Sequence, residues 1–147
     1  MKTFYLILFL ALLSCNTKHT QNDLDIREIL PVLKHQMSNG YLLVVPIDGC
    51  GVCVTKGVAF SKKHIQSQKI RFVITTQSSL KVIYQHYTDK EILNMVIDSS
   101  KKVANDGFIK NGHLLLIKIV DNKIESELEI QPSDVDSVFA DIEQNIR

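Results

Sequence analysis

The sequence predicts an α/β sandwich built on a central mixed β-sheet. Three observations carry this. A continuous apolar run of strand length at residues 41–47 and a second buried strand at 70–75 flank a helical segment, as in a βαβ unit with a sheet buried on both faces. Two further strand-like runs, 113–120 and 123–130, meet across Asp121-Asn122, a residue pair suited to a tight hairpin. The final segment returns to a helical period. A chain of 147 residues with 45% hydrophobic and 22% charged residues supplies one core and hardly two.

Taken in order, Leu24, Ile29, Leu30, Leu33 and Met37 mark a helix over 23–38, which Pro31 bends or splits and Asn39-Gly40 ends. Residues 41–47 form a doubly buried strand, irregular where Pro46 lacks a ladder donor. A helix follows Cys50 and Cys53 to about Gln66, with Val54, Val58 and Ile65 on one side. After the strand at 70–75, Ser78 or Ser79 caps a helix whose Leu80, Ile83, Tyr84 and Tyr87 form one apolar stripe. A third strand is expected at 94–98, then a loop-rich stretch to Gly112. In the last helix, Ser133 and Asp136 stand at capping-box spacing, and Val135, Val138, Phe139, Ile142 and Ile146 give the buried face.

The first 22 residues have a separate character. Behind Lys2, residues 4–13 are unbroken apolar, about half of the roughly 20 residues a membrane-spanning helix needs, so they read as the h-region of a signal peptide. Leu12-Leu13-Ser14-Cys15 resembles a bacterial lipobox. That resemblance implies cleavage before Cys15, lipidation of its thiol and attachment to a membrane through acyl chains. The expected organisation is a signal peptide over 1–14, a lipidated polar tether over 15–22 and a domain over 23–147. Asn16 stands where an Asp would resemble an inner-membrane retention signal, which favours the outer membrane slightly over the inner.

Charge excludes one class of partner. With 17 basic against 16 acidic residues and no basic block, nothing draws the chain to nucleic acid. Gly49-Cys50-Gly51 begins like a dinucleotide fingerprint, but Val54 replaces the third glycine, and Val54 after Cys53 also excludes a C-x-x-C-H haem site. No G-x-S-x-G, H-E-x-x-H or P-loop occurs.

The chemistry sits at Cys50-Gly51-Val52-Cys53, between the end of a buried strand and the start of a helix. Unpaired N–H groups and the helix dipole favour a thiolate there, and the second thiol lies within the first turn. A C-x-x-C at such a junction resembles the thioredoxin-like superfamily, and with the lipobox the chain looks most like membrane-anchored thioredoxin-like proteins of the bacterial cell envelope. The resemblance covers most of residues 41–147. It implies a thioredoxin-like sandwich with an added N-terminal helix, Cys50 as exposed nucleophile and Cys53 as buried resolving thiol, exchanging disulfides with protein thiols or disulfides of the envelope and needing no cofactor. The sequence departs from the family pattern at Gly49, where a Trp is usual, at Gly51-Val52, where a Pro is usual, and at Asn111-Gly112-His113, where a cis-Pro is usual.

Two auxiliary candidates accompany the pair. Asp48 is placed to act as a base or to orient a water, although an Asp beside Gly also forms turns. His113 is the histidine the alignment brings toward the thiols; Cys50, Cys53 and His113 would make a soft Cu(I) or Zn(II) set, while a satisfied strand-initial ring is the plainer reading. Lys56, Lys62 and Lys63 read as a solvated helix face. Three functions therefore stand open: thiol–disulfide oxidoreductase, metal-handling protein, and non-catalytic interaction module.

Overall fold

A computed structural model of the chain describes residues 37–105, 107 and 109–147. The expected signal peptide, Cys15, the expected tether and the helix expected at 23–38 lie outside the described residues, except that Met37 and Ser38 are not helical.

The elements run β1 (Gly40–Pro46), α1 (Gly51–His64), β2 (Ile70–Thr75), a 3-10 turn (Leu80–Val82) continuing into α2 (Ile83–His86), α3 (Asp89–Ile92), β3 (Val96–Ile97), α4 (Lys102–Asn105), β4 (Leu114–Val120), β5 (Lys123–Ile130) and α5 (Val135–Ile146). They build one five-stranded sheet in the order β3-β2-β1-β4-β5. β1 pairs in parallel with β2 and antiparallel with β4, so it lies at the centre of a mixed sheet. β2 pairs in parallel with β3, and β4 antiparallel with β5.

The period of two in β1 explains its unbroken apolar run. Leu43 and Val45 enter a core shared with Phe60 and Cys53 of α1 and with Val135, Phe139 and Ile142 of α5. Leu42 and Val44 enter a second core on the opposite face, with Val73, Leu115, Ile117 and Ile119. Both faces of the central strand are therefore dry, as expected of a strand with helices or loops on each side.

Helix α1 buries Cys53, Gly57, Phe60 and Ser61, not the expected stripe of Val54, Val58 and Ile65. The reason is its close approach to the sheet: a Cβ on Gly57 would lie 2.8 Å from Leu114 Cδ2 and 3.0 Å from Val45 Cγ1. The glycine face goes inward because it alone fits, and the valines are left half-buried beside it. Phe60 stacks on Phe139 with ring centroids 4.0 Å apart, joining α1 to α5.

Three other expectations need correction. The helix after Ser79 is a 3-10 turn and a single α-turn, capped by Ser79 accepting from the Lys81 N–H. Ile83 and Tyr87 are buried, but Tyr84 is 59% exposed and outside the core. Thr88 and Glu91 form a capping box that starts α3 just beyond, which stops the longer helix. Finally, α5 begins at Val135 with Asp134 as N-cap, so the expected box from Ser133 to Asp136 does not form; the Ser133 hydroxyl instead donates to Asp134 Oδ1 at 2.8 Å. The Asp121-Asn122 turn is as expected, with φ of 50° and 60°.

Candidate functional site

Cys50 is the N-cap of α1. Its carbonyl accepts the first helical bond from the Val54 N–H at 2.8 Å, and its Sγ accepts from the Cys53 N–H at 3.4 Å. The sulfur thus stands where a Ser or Asp oxygen would satisfy an orphan donor at a helix start. Both cysteines are free thiols; Cys50 is half-buried and Cys53 is fully buried.

This placement separates the two thiols electrostatically. Hydrogen bonds from the Cys53 thiol and then the Cys53 N–H hold Cys50 below the usual thiol range, against a smaller opposing effect of burial. Burial pushes Cys53 up to about 11, helped by its hydrogen bond to Cys50 and by the negative charge there. Of the two thiols Cys50 therefore loses its proton first, backed by a Cys53 thiol that keeps its own.

The turn before β4 closes on this pair through its backbone. The Cys50 N–H donates to the Gly112 carbonyl at 3.0 Å. A Cβ on Gly49 would lie 2.2 Å from that carbonyl oxygen, and one on Gly112 would lie 2.5 Å from Gly49 Cα. Asn111 and Gly112 both take positive φ, 54° and 66°. Two glycines, one from each segment, are what let the two backbones touch. The sequence carried this signal as an Asn-Gly dipeptide and as Gly49, but the partnership between them is made only by the fold.

Asp48 lies on the rim of the site, where its Oδ2 accepts from Thr76 Oγ1 at 3.0 Å, the Gln77 N–H at 2.8 Å and the Ser78 N–H at 2.9 Å. Partial burial raises its pKa, but the bonds from Ser78 and Thr76 outweigh that and hold the carboxyl below its usual value. It therefore shapes the loop after β2. His113 turns toward β5, with Nδ1 2.7 Å from Glu129 Oε1. Among the described residues no three His, Cys, Asp or Glu side chains come together as a metal-holding group, so Cys50, Cys53 and His113 do not form the set considered above. Lys56 pairs with Asp136, Lys62 with Glu91, and Lys63 with Glu143.

A cleft of about 490 Å³ opens beside Cys50. Pro46, Thr75 and Ile109 contribute to its lining, with Asp48, Gln77 and Asn111 as polar groups and Gly49 and Gly112 at the cysteine end. Its wall is organised by Asp98, a buried carboxylate that accepts from Thr75 Oγ1, Ser100 Oγ and the N–H groups of Lys102 and Val103. Gln77 Nε2 reaches the Ala104 carbonyl at 3.3 Å and ties the two sides together. Neither Asp98 nor Gln77 is signalled by the sequence, because their partners are fixed by tertiary contacts.

A central βαβ unit continued by a β-hairpin and a helix, with a C-x-x-C at the first strand-to-helix junction, defines a thioredoxin-like fold. Similar solved structures include the bacterioferritin comigratory protein of Xanthomonas campestris, described for its alkyl peroxide reduction activity (9% identity, TM-score 0.46, covering 74% of this chain and 81% of that one). A thioredoxin-like protein of Bacteroides caccae is also similar (12% identity, TM-score 0.43, covering 72% of this chain and 42% of that one). No protein-family model matches the sequence, and no curated protein matches it significantly. Among the described residues no helix is long and apolar enough to cross a membrane.

Proposed function

We propose that this protein is a lipid-anchored thiol–disulfide exchange protein of the bacterial cell envelope, acting through Cys50 and Cys53. The observation that carries the reading is the asymmetry of the pair: a partly accessible N-cap thiol held low and a buried neighbour pushed up to about 11. The lipobox-like run ending in Cys15 and the apolar segment before it support the envelope location, since disulfides persist there. Asn16 supports the outer membrane over the inner.

The Cys50 thiolate attacks one sulfur of a partner disulfide, forming the Cys50–partner bond and releasing the other partner sulfur as thiolate. Cys53 then gives up its proton, which neutralises that leaving thiolate or passes to water, and attacks Cys50 Sγ. The bound partner leaves reduced, and the Cys50–Cys53 disulfide carries the two oxidising equivalents. The reverse sequence oxidises a partner dithiol. In the dithiol state the Gly112 carbonyl accepts from the Cys50 N–H, and the Cys53 N–H is directed at the Cys50 sulfur.

Trapping tests the roles. The full-length Cys53→Ser protein is expected to accumulate a mixed disulfide at Cys50 when treated with an oxidised peptide, because no resolving thiol remains. Cys50→Ser is expected to accumulate none at Cys53. Equal trapping at both positions, or at neither, contradicts the assignment.

A further inference from the structure

We propose that the cleft beside Cys50 seats one arm of a low-molecular-weight disulfide bearing a cationic amine, with the Asp48 carboxylate as its counter-charge. This rests on the exchange chemistry proposed above and names its substrate class.

Three features carry it. First, the cleft has the volume of a small-molecule site, within the roughly 300–1,000 Å³ such sites occupy, and Cys50 forms part of its wall while Cys53 faces the core. A disulfide whose arm lies in the cleft presents its sulfur to Cys50 alone. Second, the walls are fixed before any ligand arrives. Asp98 takes four hydrogen bonds from the Thr75 and 100–103 side, Asp48 takes three from 76–78, and Gln77 bridges to Ala104. A site already ordered loses little entropy when a small ligand binds.

Third, the charge is one-sided. Among the described lining residues Asp48 is the single ionisable side chain apart from Cys50, and none of them is Lys, Arg or His. The Lys101 ammonium bonds the Gln77 backbone carbonyl at 3.2 Å. An anionic arm thus meets a carboxylate and a thiolate together, whereas an amine is attracted by both. Asp48 is then a specificity-determining residue, distinct from the general base considered from sequence.

In the reaction, reduced protein and R–S–S–R give the Cys50–S–S–R adduct and one RS⁻. Attack of Cys53 on Cys50 Sγ releases the second RS⁻, and the two protons of the dithiol end on the two products. Two electrons pass from the protein to the small disulfide.

The test uses reduced full-length protein in detergent and single-turnover rates with cystamine, 2-hydroxyethyl disulfide and 3,3′-dithiodipropionate. Each rate is divided by that variant's rate of Cys50 alkylation by neutral iodoacetamide, which removes differences in thiolate content. Wild type is expected to prefer cystamine over dithiodipropionate. Asp48→Asn, whose amide oxygen can still accept from 76–78, is expected to shrink that preference at least fivefold. Gln77→Trp, at an exposed position, is expected to slow all three by filling the cleft. Normalised rates that neither substitution moves would overturn the cleft while leaving exchange intact. No reaction of Cys50 with any disulfide would instead overturn the exchange reading beneath it.

Discussion

A sulfur atom at a helix N-cap is the smallest unit from which this site follows. Cys50 has the φ of −58° and ψ of 128° that leave its side chain beside the orphan N–H of Cys53, so local helix geometry aligns a donor with the nucleophile. What fixes Cys50 from behind is less local. Gly112 at φ 66° presents its carbonyl to the Cys50 N–H, and a side chain there would meet Gly49 Cα. Gly112→Ala is therefore expected to cost about 1–3 kcal/mol in chemical denaturation, from a non-glycine left-handed residue together with the clash. Asn111→Gly, at φ 54°, is expected to stay near wild type, since glycine accepts that conformation freely. A Gly112→Ala protein as stable as wild type would show that the two backbones do not touch. Of the site residues, Cys50 and Cys53 were legible because their chemistry and spacing are local. Asp48 and His113 were legible as residues but not in their partners: the loop at 76–78 and Glu129 on β5 are brought to them by the fold.

Elements show the same division. The strands 41–47, 70–75 and 123–130 were readable almost to the residue, since a doubly buried or hairpin-flanked strand leaves a mark in composition and turn chemistry. Between β2 and β4 only the strand expected at 94–98, found at Val96–Ile97, and the Ser79 cap were readable. The helices there have four residues each, too short to display a period, although the T-x-x-E at 88–91 was a capping-box signal for α3. Helix α1 misled because glycine carries no hydropathy, yet Gly57 faces the sheet. The far end of α1 is joined to α5 by Glu143, which accepts from Lys63 Nζ at 2.7 Å and lies 3.0 Å from His64 Nε2. Those two partners, Lys63 first, hold Glu143 at about 2, below its ordinary 4.5. A depressed folded-state pKa means the carboxylate stabilises the fold above pH about 4.5 and loses that contribution as pH falls toward about 2. The stability difference between wild type and Glu143→Gln, followed by denaturation across that range, is expected to shrink steadily on acidification. A difference independent of pH would show that Glu143 acts through packing alone.

At the scale of the whole molecule, a central strand dry on both faces delivers its C-terminal end to a helix start, and a hairpin places the Asn111-Gly112 turn against that junction. The sheet thus brings together a thiolate donor set, a buried second thiol and a cleft. A lowered Cys50 pKa favours the reduced pair and so raises its potential, which is what separates a reversible couple from a structural staple. The most direct measurement is a glutathione redox titration of the full-length protein in detergent, scored by alkylation at Cys50 and Cys53. The expected midpoint lies between about −270 and −120 mV, the range of known thiol–disulfide oxidoreductases. A midpoint below about −300 mV would make the pair a permanent disulfide and contradict exchange as its function.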